Sequence, residues 1–259
     1  MIEFEAVSRN YGSKQAVRSL SLRIESGELF TLLGHNGAGK TTSIKMLVGL
    51  LRAGAGRVLV EGFDVAQDPR RAAQLIGYVP DEPYLYDKLS GREFLTFVAE
   101  MHGLAPHEAA AAIGREVERF GLEPFVDDLC ESYSHGMKQR TVFASALIHT
   151  PRVLIVDEPM VGLDPHSIRL VKDLMREQAR GGATVFMSTH TLTAAEEIAD
   201  RIGVMNRGEL LFLGTLDEMR QAGGDADGSL ERLYLDMVGA HRPEAESQPT
   251  ETDAEAAAP

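Results

Sequence analysis

Apolar and polar positions alternate at the start of the chain. "IEFEAV" (2–7) and "LSLRIESGE" (20–28) change character at nearly every step, the pattern of half-buried antiparallel strands. "LFTLL" (29–33) breaks the alternation with a continuous apolar run, as a strand covered on both faces does. It enters a glycine-rich turn and then "KTTSIKMLVGLL" (40–51), which has helical spacing. "GRVLVEGFDV" (56–65) predicts a hairpin turning at Glu61-Gly62, and a helix near "DPRRAAQL" (68–75) leads to a short strand in "IGYVP" (76–80).

From about Ser90 to Thr150 the period becomes helical. "SGREFLTFVAEMHG", "PHEAAAAIGREVERFG" and "MKQRTVFASALIHT" carry apolar residues three and four apart, and the first two stop at glycine. Strand–helix alternation then resumes: "RVLIVDEP", a helix over 165–180, "ATVFMSTH", a helix over 192–199, "RIGVMN", and a hairpin at Arg207-Gly208. Two short helices are predicted near "LDEMRQA" (216–222) and "SLERLYLDMV" (229–238). Beyond Ala240 the composition turns to Pro, Glu, Ala and Thr, which predicts a disordered acidic tail over 241–259. The expected outline is α/β: a mostly parallel sheet core, an N-terminal antiparallel layer and an inserted helical lobe over about 82–150.

Composition narrows the function. The chain has 259 residues, ordinary apolar and charged content, and a formal net charge of −13. The tail carries five acids and one arginine, which leaves −9 on the rest. Such a balance makes the chain a poor candidate for non-specific nucleic-acid binding, which relies on basic patches. No apolar run reaches the ~18 residues that a membrane helix needs, and "MIEFEAVSRN" is not a signal peptide. One cysteine, Cys130, allows no internal disulfide and fits a reducing compartment. The expected location is cytoplasmic, with any membrane contact made through a partner.

The turn after "LFTLL" is "GHNGAGKTT" (34–42), which matches the G-x-x-x-x-G-K-[ST] phosphate loop between a predicted strand and helix. Gly34, His35, Asn36, Gly37, Ala38 and Gly39 turn their N–H groups inward around phosphate oxygens. Lys40 brings charge to the β and γ phosphates, Thr41 carries a hydroxyl suited to Mg²⁺, and Thr42 closes the turn. "VLIVDEP" (153–159) ends at the same sheet edge in two carboxylates. Asp157 is placed to hold Mg²⁺ through water, and Glu158 to orient or deprotonate the attacking water. His190 ends the strand of "STH", where it can donate to a γ phosphate. Tyr11, an aromatic beside glycine, can stack on a base.

A second anion site is readable in "YSHGMKQR" (133–140): Ser134 is a good N-cap, Gly136 lets the backbone approach closely, and no carboxylate occupies the first turn. One phosphate chain does not need two cradles. Taken in order, Tyr11, the phosphate loop, "YSHGMKQR", "VLIVDEP", "GLDP" (162–165) and His190 resemble the ATP-binding-cassette ATPase family over about residues 2–215. That resemblance implies a RecA-like P-loop NTPase fold and ATP hydrolysis with Mg²⁺. It also implies head-to-tail pairing with a second cassette, so that Ser134, His135 and Gly136 cap the ATP held by the partner's phosphate loop. Asp164 of "GLDP" would lie at the same interface; read alone, it is equally an N-cap for the helix that follows. The implied domains are an ATP-binding domain over 1–222, a helical extension over 223–240 and the tail.

Three departures from the family pattern stand out. The usual Leu-Ser-Gly-Gly-Gln signature reads Tyr-Ser-His-Gly-Met, so His135 replaces a glycine. Asp81 stands where glutamine commonly follows the proline; it could hold a Mg²⁺-bound water or serve as a lever to a partner. The resemblance does not extend past residue 240. The form of "VPDEPYLYDKLSGREFL" resembles the subgroup that drives exporters, which implies a separate transmembrane permease. A soluble cassette acting on ribosomes or DNA would carry two cassettes, a long coiled coil or a zinc module, none of which is here. A non-catalytic regulatory cassette is opposed by the presence of both Glu158 and His190.

Overall fold

Glycine and left-handed turns punctuate the N-terminal strands. The computed structural model describes residues 1–222 and 230–240. The N-terminal layer is an antiparallel sheet in the order β2-β1-β4-β5, built from β1 (Ile2–Tyr11), β2 (Lys14–Ile24), β4 (Ala55–Val60) and β5 (Phe63–Asp64). The β4–β5 turn falls at Glu61 and Gly62, both at positive φ, as a two-residue hairpin turn requires.

Between β2 and β4 the chain makes β3 (Leu29–Leu33), the phosphate loop and α1 (Lys40–Leu47); then come α2 (Pro69–Leu75) and β6 (Ile76–Val79). Helix α1 stops four residues before the predicted end, because Gly49 turns left-handed at φ 77. The inserted lobe holds α3 (Gly91–Met101), α4 (Pro106–Phe120) and α5 (His135–Leu147), with a 3-10 turn at Cys130–Ser132 that periodicity does not reveal. Ser90 and Glu93 form a reciprocal capping box on α3, and Gly121 ends α4 in the left-handed region. The chain continues through β7 (Val153–Asp157), α6 (Pro165–Arg180), β8 (Thr184–Thr189), α7 (Leu192–Ile198), β9 (Arg201–Asn206), β10 (Glu209–Gly214), α8 (Leu216–Ala222) and α9 (Leu230–Ala240). The expected tail over 241–259 lies outside the described residues, as does the start of the last predicted helix.

The main sheet has the order β10-β9-β3-β8-β7-β6, with only β10 antiparallel. Its central strands are buried on both faces, and alternate side chains serve different cores. Phe30, Leu32, Val153, Ile155 and Phe186 pack with the antiparallel layer and α1. Leu154, Val156, Val185 and Met187 pack with the helical lobe and α6. A third cluster joins Leu33, Ile202 and Val204 to Met219 of α8 and Leu233 of α9. Burial on two sides explains the unbroken apolar runs. The RecA-like, three-part α/β outline read from the sequence is the one observed.

Candidate functional site

The register of the parallel strands aligns their C-terminal ends. Leu33 lies beside Thr189, Asp157 beside Ser188, and Val79 beside Val156. Everything that follows β3, β6, β7 and β8 therefore emerges at one sheet edge, where ligands of such sheets bind.

At that edge the phosphate loop runs from Gly34 to the start of α1. A Cβ on Gly34 would sit 2.4 Å from the Met205 carbonyl, and one on Gly39, at φ 115, would sit 2.5 Å from the Ala16 carbonyl. The loop is thus packed onto β9 and β2 with no space for side chains at these two points. Lys40, nearly buried, donates from Nζ to the carbonyls of Gly34 at 2.7 Å and His35 at 3.4 Å. Its ammonium is also 3.2 Å from Glu158 Oε1. His35 turns away from the cleft, with Nδ1 2.7 Å from Asn36 O and Nε2 2.8 Å from Asn206 Oδ1.

Asp157 is fully buried. Its Oδ1 accepts a short hydrogen bond from the Ser188 hydroxyl, and the Thr41 hydroxyl also bonds the carboxylate. Oδ2 is buried without a hydrogen-bond partner. Burial holds the Asp157 carboxyl above the ordinary carboxylate range; Asp81 and Glu158 push the same way, against the hydroxyls of Ser188 and Thr41. Beside it, burial and then the charges of Asp157 and Asp81 push the Tyr78 phenol well up. Glu158 follows at φ 47, a left-handed conformation uncommon outside glycine. Its N–H donates to both the carbonyl and the hydroxyl of Ser188, each at 3.2 Å. Glu158 Oε2 meets His190 twice, at Nδ1 (2.9 Å) and at the backbone N–H (3.3 Å).

Tyr11, Asn36, Gly37, Gly39, Lys40, Thr41, Thr42, Asp81 and Glu158 line one cleft of about 350 Å³. Lys14 and Ala16 complete it. Tyr11 stays half exposed, with the Arg9 guanidinium 5.4 Å from its ring centre. Asp81 is exposed and accepts from the Glu82 amide at 3.0 Å. A larger cleft, of about 660 Å³, lies between β4, β5 and the end of α1, but Arg57 there is engaged by Glu5 and Asp64 accepts from the amides of Ala66 and Gln67. Volume alone would choose it; the convergence of the phosphate loop, Lys40, Asp81 and Glu158 chooses the other.

Ser134, His135 and Gly136 do not line the phosphate-loop cleft. Ser134 caps α5, accepting from the Met137 amide at 3.3 Å. The His135 ring lies against Gly162 of the "GLDP" loop, 3.2 Å from where a Cβ would be. Asp164 caps α6 through the amides of His166 (2.9 Å) and Ser167 (3.1 Å).

The donor set fits a divalent cation bound together with a phosphate chain. A buried carboxylate oxygen without a donor, a hydroxyl on the same carboxylate and a nearby second carboxylate are oxygen ligands suited to Mg²⁺. Among the described residues no cluster of three or more His, Cys, Asp or Glu could hold a metal unaided, which agrees with a cation that keeps waters and phosphate oxygens as ligands. Sequence reasoning did not single out Ser188 and Lys14. Ser188 is a hydroxyl in an otherwise apolar strand, and Lys14 a cation at the β1–β2 turn beside Tyr11; both were visible as residues, but strand register was not.

The family model for ABC transporter matches residues 17–161. The linearmycin resistance ATP-binding protein LnrL of Bacillus subtilis (strain 168) is 37% identical over 226 residues, 87% of this chain and 73% of that protein. A solved ATP binding subunit of an ABC transporter superposes with a TM-score of 0.87 at 32% identity, covering 92% of this chain and 99% of that one. CbiO1 from Clostridium perfringens, part of the ABC transporter complex cbiONQ, superposes with a TM-score of 0.74 at 26% identity, over 90% and 96% of the two chains.

Proposed function

The chain belongs to the ABC transporter ATP-binding family, and from that premise we propose which of its residues hold ATP and which partners complete the site. It is the ATP-binding, ATP-hydrolysing subunit of an ABC transporter. We assign residues 1–222 to the ATP-binding domain, with the helical lobe over about 82–150 inserted, and 223–240 to a helical extension.

Tyr11 stacks on the adenine, the N–H groups of Gly34–Thr42 surround the phosphates, and Lys40 reaches the β and γ phosphates. Thr41 and Asp157 would hold Mg²⁺, and Asp81 would hold a water bound to it. Mg²⁺, when bound, neutralises charge that develops on the phosphates. Glu158 accepts a proton from the attacking water or orients it, a role worth about 10² to 10⁴ in rate. His190, fixed by two contacts with Glu158, donates to the γ phosphate. The observation that carries this reading is the meeting of Lys40, Asp157, Glu158 and His190 at one sheet edge.

Ser134, His135 and Gly136 stand outside that cleft, which supports their serving the ATP of a second cassette, either another copy of this chain or a related one. A separate permease supplies the membrane passage, and the subunit sits at the cytoplasmic face of the membrane. Among the described residues no helix is long and apolar enough to cross a membrane. An exposed aromatic group supports that docking: Tyr86 contacts Tyr84 and Phe97 edge-on at 5.9 and 5.8 Å, with Met101 exposed on the same helix as Phe97. Asp81 lies three residues before Tyr84, as a lever between cleft and partner would. Export is the favoured direction, by likeness to a resistance protein.

Lys40→Ala tests the site. Nucleotide binding by fluorescence titration should fall by about 10²-fold or more; unchanged affinity would remove the phosphate-loop assignment. Asp81→Asn should change permease-stimulated turnover more than basal turnover, and the reverse would make Asp81 chiefly a metal-site residue.

A further inference from the structure

The back of the phosphate loop rests on a support that does not line the cleft. Leu33, the residue before the loop, packs with Leu233 of α9, and Tyr234, Met237 and Val238 cover the same cluster. These four positions form one stripe of α9. The His35 ring points back to Asn206, the last residue of β9, with Nε2 2.8 Å from Oδ1. Asn206 is nearly buried, and its Nδ2 donates on to the Val238 carbonyl of α9 at 3.5 Å. Tyr234 packs on the cluster that holds Leu33; burial raises its phenol and the nearby His35 backbone amide opposes that. Further along, the Gly208 amide donates to the Ala38 carbonyl at 2.8 Å.

The loop works by aiming successive N–H groups, and a small rotation of the 34–36 backbone misaims them. Gly34 is already pressed on the Met205 carbonyl, so the loop cannot sink further onto β9. What α9 controls is the opposite freedom, lifting and turning of His35. We propose that α9 is a brace on the phosphate loop, with Tyr234 and Asn206 as positioning residues that set how tightly nucleotide is held. The brace meets the site on the side of Leu33 and His35, whereas Glu158 and His190 follow β7 and β8. This inference rests on the ATP-binding reading above and adds to it an element outside the motifs, joined directly to the acidic tail.

The test uses the full chain and ATP itself as ligand. Tyr234→Phe removes one hydroxyl; Asn206→Asp keeps the oxygen facing His35 but loses the donor to Val238; the double variant Tyr234→Phe/Asn206→Ala removes both links. Dissociation constants for ATP should rise about 3-fold for the first two and about 10-fold for the double variant. KM should rise by the same factors, with kcat at saturating ATP changing less than about 2-fold, a split that general destabilisation would not give. Amide exchange over 35–40 should quicken in Tyr234→Phe, a readout independent of turnover. Wild-type affinity and wild-type exchange in both Tyr234→Phe and Asn206→Asp would overturn the brace alone. A wild-type chain that bound no ATP would overturn it together with the reading beneath it.

Discussion

Asp157 and Glu158 are neighbours in the chain but sit in opposite electrostatic situations. Asp157 has one oxygen on Ser188 and another with no protein donor, and burial raises its pKa above the ordinary carboxylate value. The folded chain therefore binds more protons than the unfolded chain as pH rises through and above 3.8, so ionised Asp157 costs stability, and increasingly so with pH until it is fully charged. Asp157→Asn should raise the thermal midpoint at pH 7 to 8 without Mg²⁺ and abolish the extra stabilisation that Mg²⁺ adds to ATP. A lower midpoint without Mg²⁺ would contradict the cost of ionised Asp157, and Mg²⁺ stabilisation retained in the variant would contradict the metal-ligand assignment. His149 has the opposite sense. Stacked on His102 at 3.6 Å between ring centres, it is pushed down from 6.5 to about 4 by burial, then by His102. The unfolded chain binds the extra proton between about pH 6.5 and 4, so stability falls as pH drops through that window. Denaturant midpoints of His149→Gln, whose amide can still donate to the Ile76 carbonyl, should depend less on pH there; an unchanged slope would refute the attribution. Residue types at the site were legible in the sequence because phosphate and metal chemistry restrict them. The left-handed Glu158 and its Lys40 and Ser188 contacts were not, since they arise from strand register.

Among the elements, the helix that starts at the signature loop is held by an unexpected side chain. Tyr133 is buried, donates to the Phe125 carbonyl at 2.8 Å and accepts from the Gly91 amide at 3.1 Å. It thereby ties the start of α5 to the start of α3. Tyr133→Phe leaves the Gly91 amide without its partner, while the Phe125 carbonyl keeps the Asp128 amide, and should cost roughly 1 to 3 kcal/mol in chemical denaturation; a loss below the measurement error would show that water replaces the hydroxyl. Element type was well marked along the chain, because caps and glycines carry their own signals: Ser134 and Asp164 cap as expected, and Ser90 caps α3 in the same way. What periodicity missed were irregularities, such as the end of α1 at Leu47 and the left-handed Ala6 and Ser19 beside register shifts in β1 and β2. Nothing in a local pattern distinguishes a bulged strand from a straight one.

On the proposed reading, the whole molecule presents half of each of two sites. Its cleft has the phosphate loop, Asp81 and Glu158, with His190 held against Glu158, while the capped turn at Ser134 does not line it and His135 lies against Gly162. The order β10-β9-β3-β8-β7-β6 places β3 between strands that lie more than 150 residues later in sequence. That arrangement could be expected from the resemblance but not from periodicity, which carries no information on strand neighbours. Glu158→Gln tests the proposed separation of binding from hydrolysis, because it removes the carboxylate proposed to orient the attacking water or accept its proton. Its turnover should fall by about 10² or more, with ATP affinity equal to or tighter than wild type; hydrolysis at the wild-type rate would remove Glu158 from its role. The central claim is that the signature turn completes a site on another chain. It is tested most directly by light scattering behind size exclusion of Glu158→Gln with Mg²⁺ and ATP. The expected particle has twice the chain mass, reverting to one chain without ATP or with Ser134→Glu added. A particle of single-chain mass under saturating ATP, bound to nucleotide all the same, would contradict it.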